Sequence, residues 1–369
     1  MSFGNSLISD FKRISAKLFG STGESGQSNP GLLEIAESLP AYEALFTSGA
    51  ITRMALDGKR LRPILVICET LNVCNQDCVF CPYSQQTREK GVMSLETFKT
   101  VVDQYVAMGG GIMSLTPIVG DVLLDRFLMQ RLDILEAVKD VIQPTVTTNL
   151  VALHRLGDED VLKMLRLFRR IHISVYGTTA EENLAATRKP HFDDFVRSAK
   201  RLMKLWHYSN KACELRLGFR NINNHSDGEL AEFVMKVFGE ELSFTAINTY
   251  ANWGNSISGM LPGDAQWAEQ KENTTPCVLL ANALQVFWDG RVTACSCCDY
   301  DASEQLTLGN VNESHLADIY NGELSQRLWV NHGTEKLPEI CRNCTFHLPL
   351  KDLSPTHSLV ANPVEFIGG

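Results

Sequence analysis

Between residues 64 and 249 the chain repeats one pattern six times, a short apolar run followed by a longer amphipathic stretch. The runs span 64–70, 111–117, 144–149, 170–176, 213–219 and 242–249. Runs of this length separated by helical stretches read as βα units, whose strands lie parallel and whose crossovers are right-handed. In the first connection Leu95, Phe98, Val102 and Tyr105 form one stripe behind Ser94, a natural N-cap. The pattern changes character after residue 250.

Two of the runs alternate in polarity, whereas parallel strands covered on both faces usually read as continuously apolar. In 170–176 Ile171, Ile173 and Val175 oppose Arg170, His172, Ser174 and Tyr176. In 213–220 Leu215, Leu217 and Phe219 oppose Glu214, Arg216, Gly218 and Arg220. A polar inner face predicts a wet cavity, and the alternative is a packed polar layer with Glu214 or Arg216 in an ion pair. On strand parity alone, His172, Tyr176, Glu214 and Arg216 are the candidates for proton transfer.

Directly after the first run come Cys74, Cys78 and Cys81, a C-x3-C-x2-C spacing on one loop. Three thiolates there can hold three irons of a [4Fe–4S] cluster and leave the fourth without a protein ligand. Zinc is the alternative, but it needs a fourth ligand nearby and usually takes two separated pairs. A disulfide framework fits poorly, since the chain is long, has no secretory signal and carries eleven cysteines, an odd number.

This loop, with Phe80 just before its third cysteine, resembles the signature of the radical S-adenosylmethionine (radical SAM) superfamily. The resemblance implies a partial (β/α)6 TIM-like barrel, with a full eight-unit barrel as the alternative, and a cluster that binds S-adenosylmethionine (SAM). Val119-Gly120-Asp121 resembles the family's Gly-Gly-Glu-Pro loop, which receives the amino group of SAM; Gly120 matches, and Val119 and Asp121 depart. Thr148-Asn149 and Ser174 stand where the family places residues near SAM. The resemblance thus implies Phe80, Gly120, Asp121, Asn149, Ser174 and Arg216 as cofactor contacts.

A second cysteine set follows. Cys277, twelve residues, Gly290, four residues and Cys295 fit the opening of the SPASM and Twitch extensions of some radical SAM enzymes. Short strands at 284–288 and 291–295 around Asp289-Gly290 predict a hairpin with a two-residue turn. Cys341 and Cys344 complete a four-thiolate set, implying one auxiliary [4Fe–4S] cluster in the Twitch manner, with zinc on the same thiolates as the alternative. Cys297 and Cys298 adjoin Cys295 and compete with it as ligand. Cys68 and Cys213, inside runs, read as buried apolar residues. Trp253-Gly254 follows the sixth run and is a candidate for the cavity entrance, or simply a packed tryptophan.

The expected division is an N-terminal helical extension and linker at 1–60, the barrel at 61–255, and a small hairpin and helix cluster domain with its tail at 256–369. Phe3, Leu7, Phe11, Ile14 and Leu18 predict an amphipathic helix, and residues 20–31 a flexible linker. A net charge of −9 argues against nucleic acid as a partner. No run reaches the roughly 20 apolar residues of a membrane span. Cysteine usage without an export signal points to a reducing cytoplasm.

The resemblance implies cleavage of SAM to a 5′-deoxyadenosyl radical that takes hydrogen from a substrate, with an external one-electron reductant such as flavodoxin or ferredoxin. An auxiliary cluster without an open iron favours oxidation of a small molecule, such as a sugar or aminocyclitol alcohol. Modification of a ribosomally made peptide is the second enzyme reading. A non-catalytic zinc or iron–sulfur module is the reading from another class.

Overall fold

The computed structural model describes residues 65–270, 283–333 and 336–347 continuously, with positions 60, 61, 63, 272, 273, 277, 279, 280, 366 and 367 besides. The helix and linker expected before residue 60 lie outside the described residues.

The six βα units form six parallel strands: β1 Leu65–Cys68, β2 Gly111–Ser114, β3 Ile142–Thr148, β4 Arg170–Val175, β5 Glu214–Arg220 and β6 Phe244–Ile247. They pair in sequence order, and the sheet stays open beyond β6. This is the partial barrel rather than a closed one.

Its helices are built by local chemistry that the sequence announces. Helix α1 (Leu95–Ala107) starts where the Ser94 side chain accepts from Thr97 N, and it buries Phe98, Val101, Val102 and Tyr105 against the sheet. The helices α2 (Leu128–Glu136), α3 (Asp158–Leu167), α4 (Ala180–Thr187) and α5 (Phe192–Tyr208) follow. Helix α6 (Asp227–Phe238) opens on a Ser226–Glu229 capping box and ends at Gly239. Ile171, Ile173, Val175, Leu215, Leu217 and Phe219 join this helix-facing core, which leaves His172 and Ser174 to the barrel interior. Cys68 and Cys213 are buried in the same core.

On its other side β1 pairs in parallel with β7 (Ala283–Val286), from the C-terminal part of the chain. Antiparallel β8 (Arg291–Thr293) and β9 (Thr307–Asn310) extend the sheet to nine strands. The hairpin between β7 and β8 differs from the expected two-residue turn. Phe287 N donates to Arg291 O and Gly290 N to Phe287 O, so the loop is the three residues Trp288, Asp289 and Gly290. Gly290 takes φ 89°, the left-handed residue such a loop requires, and a Cβ there would clash with Asn312 Nδ2. The short helices α7 (Leu316–Asn321), α8 (Glu323–Gly333) and α9 (Glu339–Arg342) lead to the last cysteines. Among the described residues no helix is long and apolar enough to cross a membrane.

Candidate functional site

Catalytic groups of parallel barrels gather at the C-terminal strand ends, because loops there can vary without disturbing the core. At that end lies a cavity of about 230 Å³, and Cys74, Cys78 and Cys81 all line it. Their loop is held by backbone. Asp77 N donates to Thr187 O and Val79 N to Ala186 O, so the last turn of α4 anchors the two positions flanking Cys78. Asn149 Nδ2, at the end of β3, donates to Asn75 Oδ1 at 2.7 Å and approaches Cys74 Sγ at 3.8 Å.

Burial pushes the Cys81 thiol up to about 11, and Cys74 and Cys78 above their ordinary value too. The free thiols therefore keep their protons and release them on binding metal. Three thiols on one loop, all lining the cavity, fit the three protein ligands of a [4Fe–4S] cluster that leaves one iron without one.

Phe80 stacks on Tyr250 at 4.5 Å between ring centroids and on Tyr176 at 6.0 Å, giving the cavity one aromatic wall. Gly120, Asp121, Asn149 and Ser174 also line it. The Asp121 carboxylate is occupied: it accepts from Leu123 N, Thr148 Oγ1 and Asn149 N, and burial nonetheless pushes it up to about 6. Its work is to tie the loop after β2 to the end of β3. Tyr176 is within the cavity with Ser174 at its hydroxyl, and burial raises its phenol well above the ordinary value. It keeps its proton at neutral pH, as a hydrogen-bond donor rather than a base.

The other three parity candidates stand elsewhere. Glu214, Arg216 and His172 share the expected face of their strands, but they sit below the cavity and do not line it. Glu214 is clasped by Arg170 Nε at 2.9 Å and Arg216 Nε at 2.5 Å. Burial works to raise its pKa, yet these two arginines hold it below the ordinary value. This is the ion pairing weighed above, in a layer where Glu214 and Arg216 stay partly exposed. His172 packs where a Cβ on Gly218 would clash with its Nε2. Arg220, at the C-terminal end of the same face, is the residue that reaches the cavity. Its guanidinium lies 6.0 Å from the Phe80 centroid, and no carboxylate among the described residues pairs with it.

Burial, then the charges of Arg220, Arg170 and Arg216, lower the His172 pKa to about 3. Its folded value lies below the ordinary 6.5, so the stability it contributes is present above pH 6.5 and is lost as pH falls towards 3. A His172→Gln variant should lose about 2–3 kcal/mol less unfolding free energy than wild type between pH 7.5 and 4.5. Urea unfolding at the two values measures it, and parallel pH dependences would refute it.

The second set is brought to one place too. Cys277, Cys295, Cys341 and Cys344 line one cavity, together with Cys297 and Cys298, which makes six thiols rather than four. Asn273 Nδ2 donates to Cys341 O and Cys344 O, fixing the final pair. Cys295 and Cys297 sulfurs are 4.0 Å apart. Cys297 also lines the first cavity, as do its neighbour Ser296 and Phe346 beyond Cys344. Sequence spacing had no means of showing that the two cavities share a wall.

Comparison with known proteins accords with this geometry. The family model described as the radical SAM superfamily matches residues 68–234, and the SPASM model, an iron–sulfur cluster-binding domain, matches 277–345. The fold resembles BtrN in complex with AdoMet and 2-DOIA, at 17% identity and TM-score 0.53, covering 81% of this chain and 98% of that one. It also resembles Streptococcus suis SuiB bound to precursor peptide SuiA, at 14% identity and TM-score 0.54, covering 95% of this chain and 83% of that one. At these identities the likeness is one of fold. No curated protein matches the sequence. With a C-x3-C-x2-C loop at the open end of a partial barrel and a second thiol set beside it, the chain belongs to the radical SAM superfamily and carries a SPASM domain.

Proposed function

We propose that this enzyme oxidises a secondary alcohol of a small molecule, such as a sugar or aminocyclitol, in the cavity between its two cysteine sets. The observation that carries the reading is the shared wall: Ser296, Cys297 and Phe346 of the SPASM segment line the cavity that holds Cys74, Cys78 and Cys81. When bound, the first [4Fe–4S] cluster and SAM supply hydrogen abstraction by a 5′-deoxyadenosyl radical, and the auxiliary iron–sulfur cluster supplies an electron acceptor.

The chain's own residues orient and enclose. Cys74, Cys78 and Cys81 hold the first cluster, and Cys277, Cys295, Cys341 and Cys344 the auxiliary one. The backbone at Gly120 receives the amino group of SAM. Arg220 takes its carboxylate, since an unpaired guanidinium at a cavity wall is a ready fork for one. Phe80 and Tyr250 offer the flat apolar surface, and Asn149, Ser174 and Tyr176 the polar contacts.

An Arg220→Met variant should bind SAM about tenfold to a hundredfold more weakly. Arg216→Met should leave that affinity unchanged, because Arg216 is spent on Glu214. Equilibrium dialysis against labelled SAM decides between them, and equal losses would reject the assignment.

The likeness to SuiB, which covers nearly all of this chain, supports peptide modification as the second reading. Anaerobically reconstituted enzyme, given SAM, an electron donor such as flavodoxin and a deuterated metabolite pool, tests the first. Deuterium in 5′-deoxyadenosine with a product two hydrogens lighter supports alcohol oxidation. Turnover only with a short precursor peptide would replace it with the second.

A further inference from the structure

After the last barrel strand the backbone makes an unusual turn: Trp253, Gly254 and Asn255 all take positive φ, at 55°, 64° and 71°. Left-handed conformation is costly for an L-residue, and a bulky one such as tryptophan rarely adopts it. Strain of this kind persists only where the surroundings over-determine it.

The surroundings here are the loops of both cysteine sets. Trp253 Nε1 donates at 2.9 Å to the carbonyl of Phe80, inside the C-x3-C-x2-C loop and one residue before Cys81. On the other side the indole meets Tyr300 edge-on at 6.2 Å and Phe346 at 5.3 Å, each two residues beyond an auxiliary-site cysteine. Asn252 N donates to Thr345 Oγ1, next to Cys344. A Cβ on Gly254 would lie 3.3 Å from Ile340 Cγ1 and 3.6 Å from Cys298 Sγ. One strained turn therefore touches both loops at once, and its tryptophan lines the cavity between them.

We propose that Trp253 is a positioning residue that couples the two sites, so that the arrangement of the auxiliary loops sets the position of the Phe80 carbonyl and with it SAM binding. The coupling rests on both sets being loaded with iron, as the proposed function does, but not on the choice between alcohol and peptide.

Two variants test it in the reconstituted holoenzyme. Trp253→Phe keeps an aromatic ring and removes the N–H donor. Tyr300→Leu removes a contact on the far side of the indole, from a residue that does not line the SAM cavity. The readouts are iron per chain, the SAM dissociation constant, and the change SAM induces in the electron paramagnetic resonance spectrum of the reduced first cluster. Each variant should keep its iron, weaken SAM binding about tenfold, a usual size for coupling between sites, and alter the SAM-induced spectral change. The double variant should be no worse than Trp253→Phe, because both losses pass through one side chain.

A Tyr300→Leu enzyme with iron retained, and with SAM affinity and spectrum within twofold of wild type, would overturn the coupling. So would loss of iron in either variant, which would make the turn a staple rather than a link, or multiplying effects in the double variant. If Trp253→Phe fails to fold, Tyr300→Leu alone decides. Failure of the functional reading is separable: turnover only with a short precursor peptide would replace the alcohol reading and leave these binding and spectral readouts as expected.

Discussion

Replacing Cys78 by alanine should halve the iron of anaerobically reconstituted protein, from about eight to about four per chain, and reduce 5′-deoxyadenosine formation to background. The effect is large because all three loop thiols face one cavity, and two cannot close the cage that a cluster needs. Cys78 is buried beside Phe80, Ala186 and Tyr250, and alanine keeps that apolar environment, so the fold should survive. Cys213→Ala supplies the contrast: its thiol sits in the helix-facing core and should be replaceable without loss of iron. Iron analysis and the visible absorption of the two variants check the pair. Equal iron in both, or zinc in place of iron, would defeat the assignment of the first site.

The second large effect should come from Arg88→Met. Arg88 and Glu69 form a two-pronged pair, at 2.7 and 3.0 Å, with side chains 3% and 0% exposed. Arg88 Nε also donates to Tyr300 O, and its guanidinium lies 4.3 Å from the Phe287 centroid. Burial pushes the Glu69 carboxyl up to about 7 even with Arg88 beside it. Removing the arginine strands that carboxylate, at a cost of about 3–5 kcal/mol, or a fall in Tm of about 5 °C for a chain this size. Glu69 can escape by taking up a proton, so the loss should be larger at pH 8.5 than at pH 5.5. Adding Glu69→Leu should restore most of the stability, since an apolar pair of similar volume avoids burying a charge at all. Thermal unfolding of wild type, single and double variants measures this, and a double variant as unstable as the single would sink it.

The strands were legible because an apolar run bounded by turn residues has few other uses: four lie within their expected spans, the third starts two residues early at Ile142 and the fifth ends one residue late at Arg220. Parity was legible too: Arg170, His172, Ser174 and Tyr176 do face inward. Depth was not, because alternation says which face a residue takes and nothing about which end of the barrel it serves. Thus Arg216 drew attention two steps below Arg220, and Glu214 and His172 fell in the ionic layer beneath the cavity. Contacts between distant segments were the least legible of all. Nothing local to Arg88 points to Tyr300, and nothing local to Trp253 points to Phe80. The six thiols of the second site also needed the fold, since spacing picked four and offered Cys297 and Cys298 only as rivals to Cys295.

The pairing of β7 with β1 bears on how the chain is made. The outer edge of β1 is covered by residues 283–286, and Glu69 N, just past β1, reaches Val286 O. During synthesis the first barrel strand emerges more than two hundred residues before its neighbour. Until the ribosome has passed that point, a row of amides and carbonyls stands open to any passing strand, the usual route to aggregation. Within the nascent polypeptide the SPASM segment thus serves as the late-arriving guard of the barrel's oldest edge, a duty independent of any iron it carries.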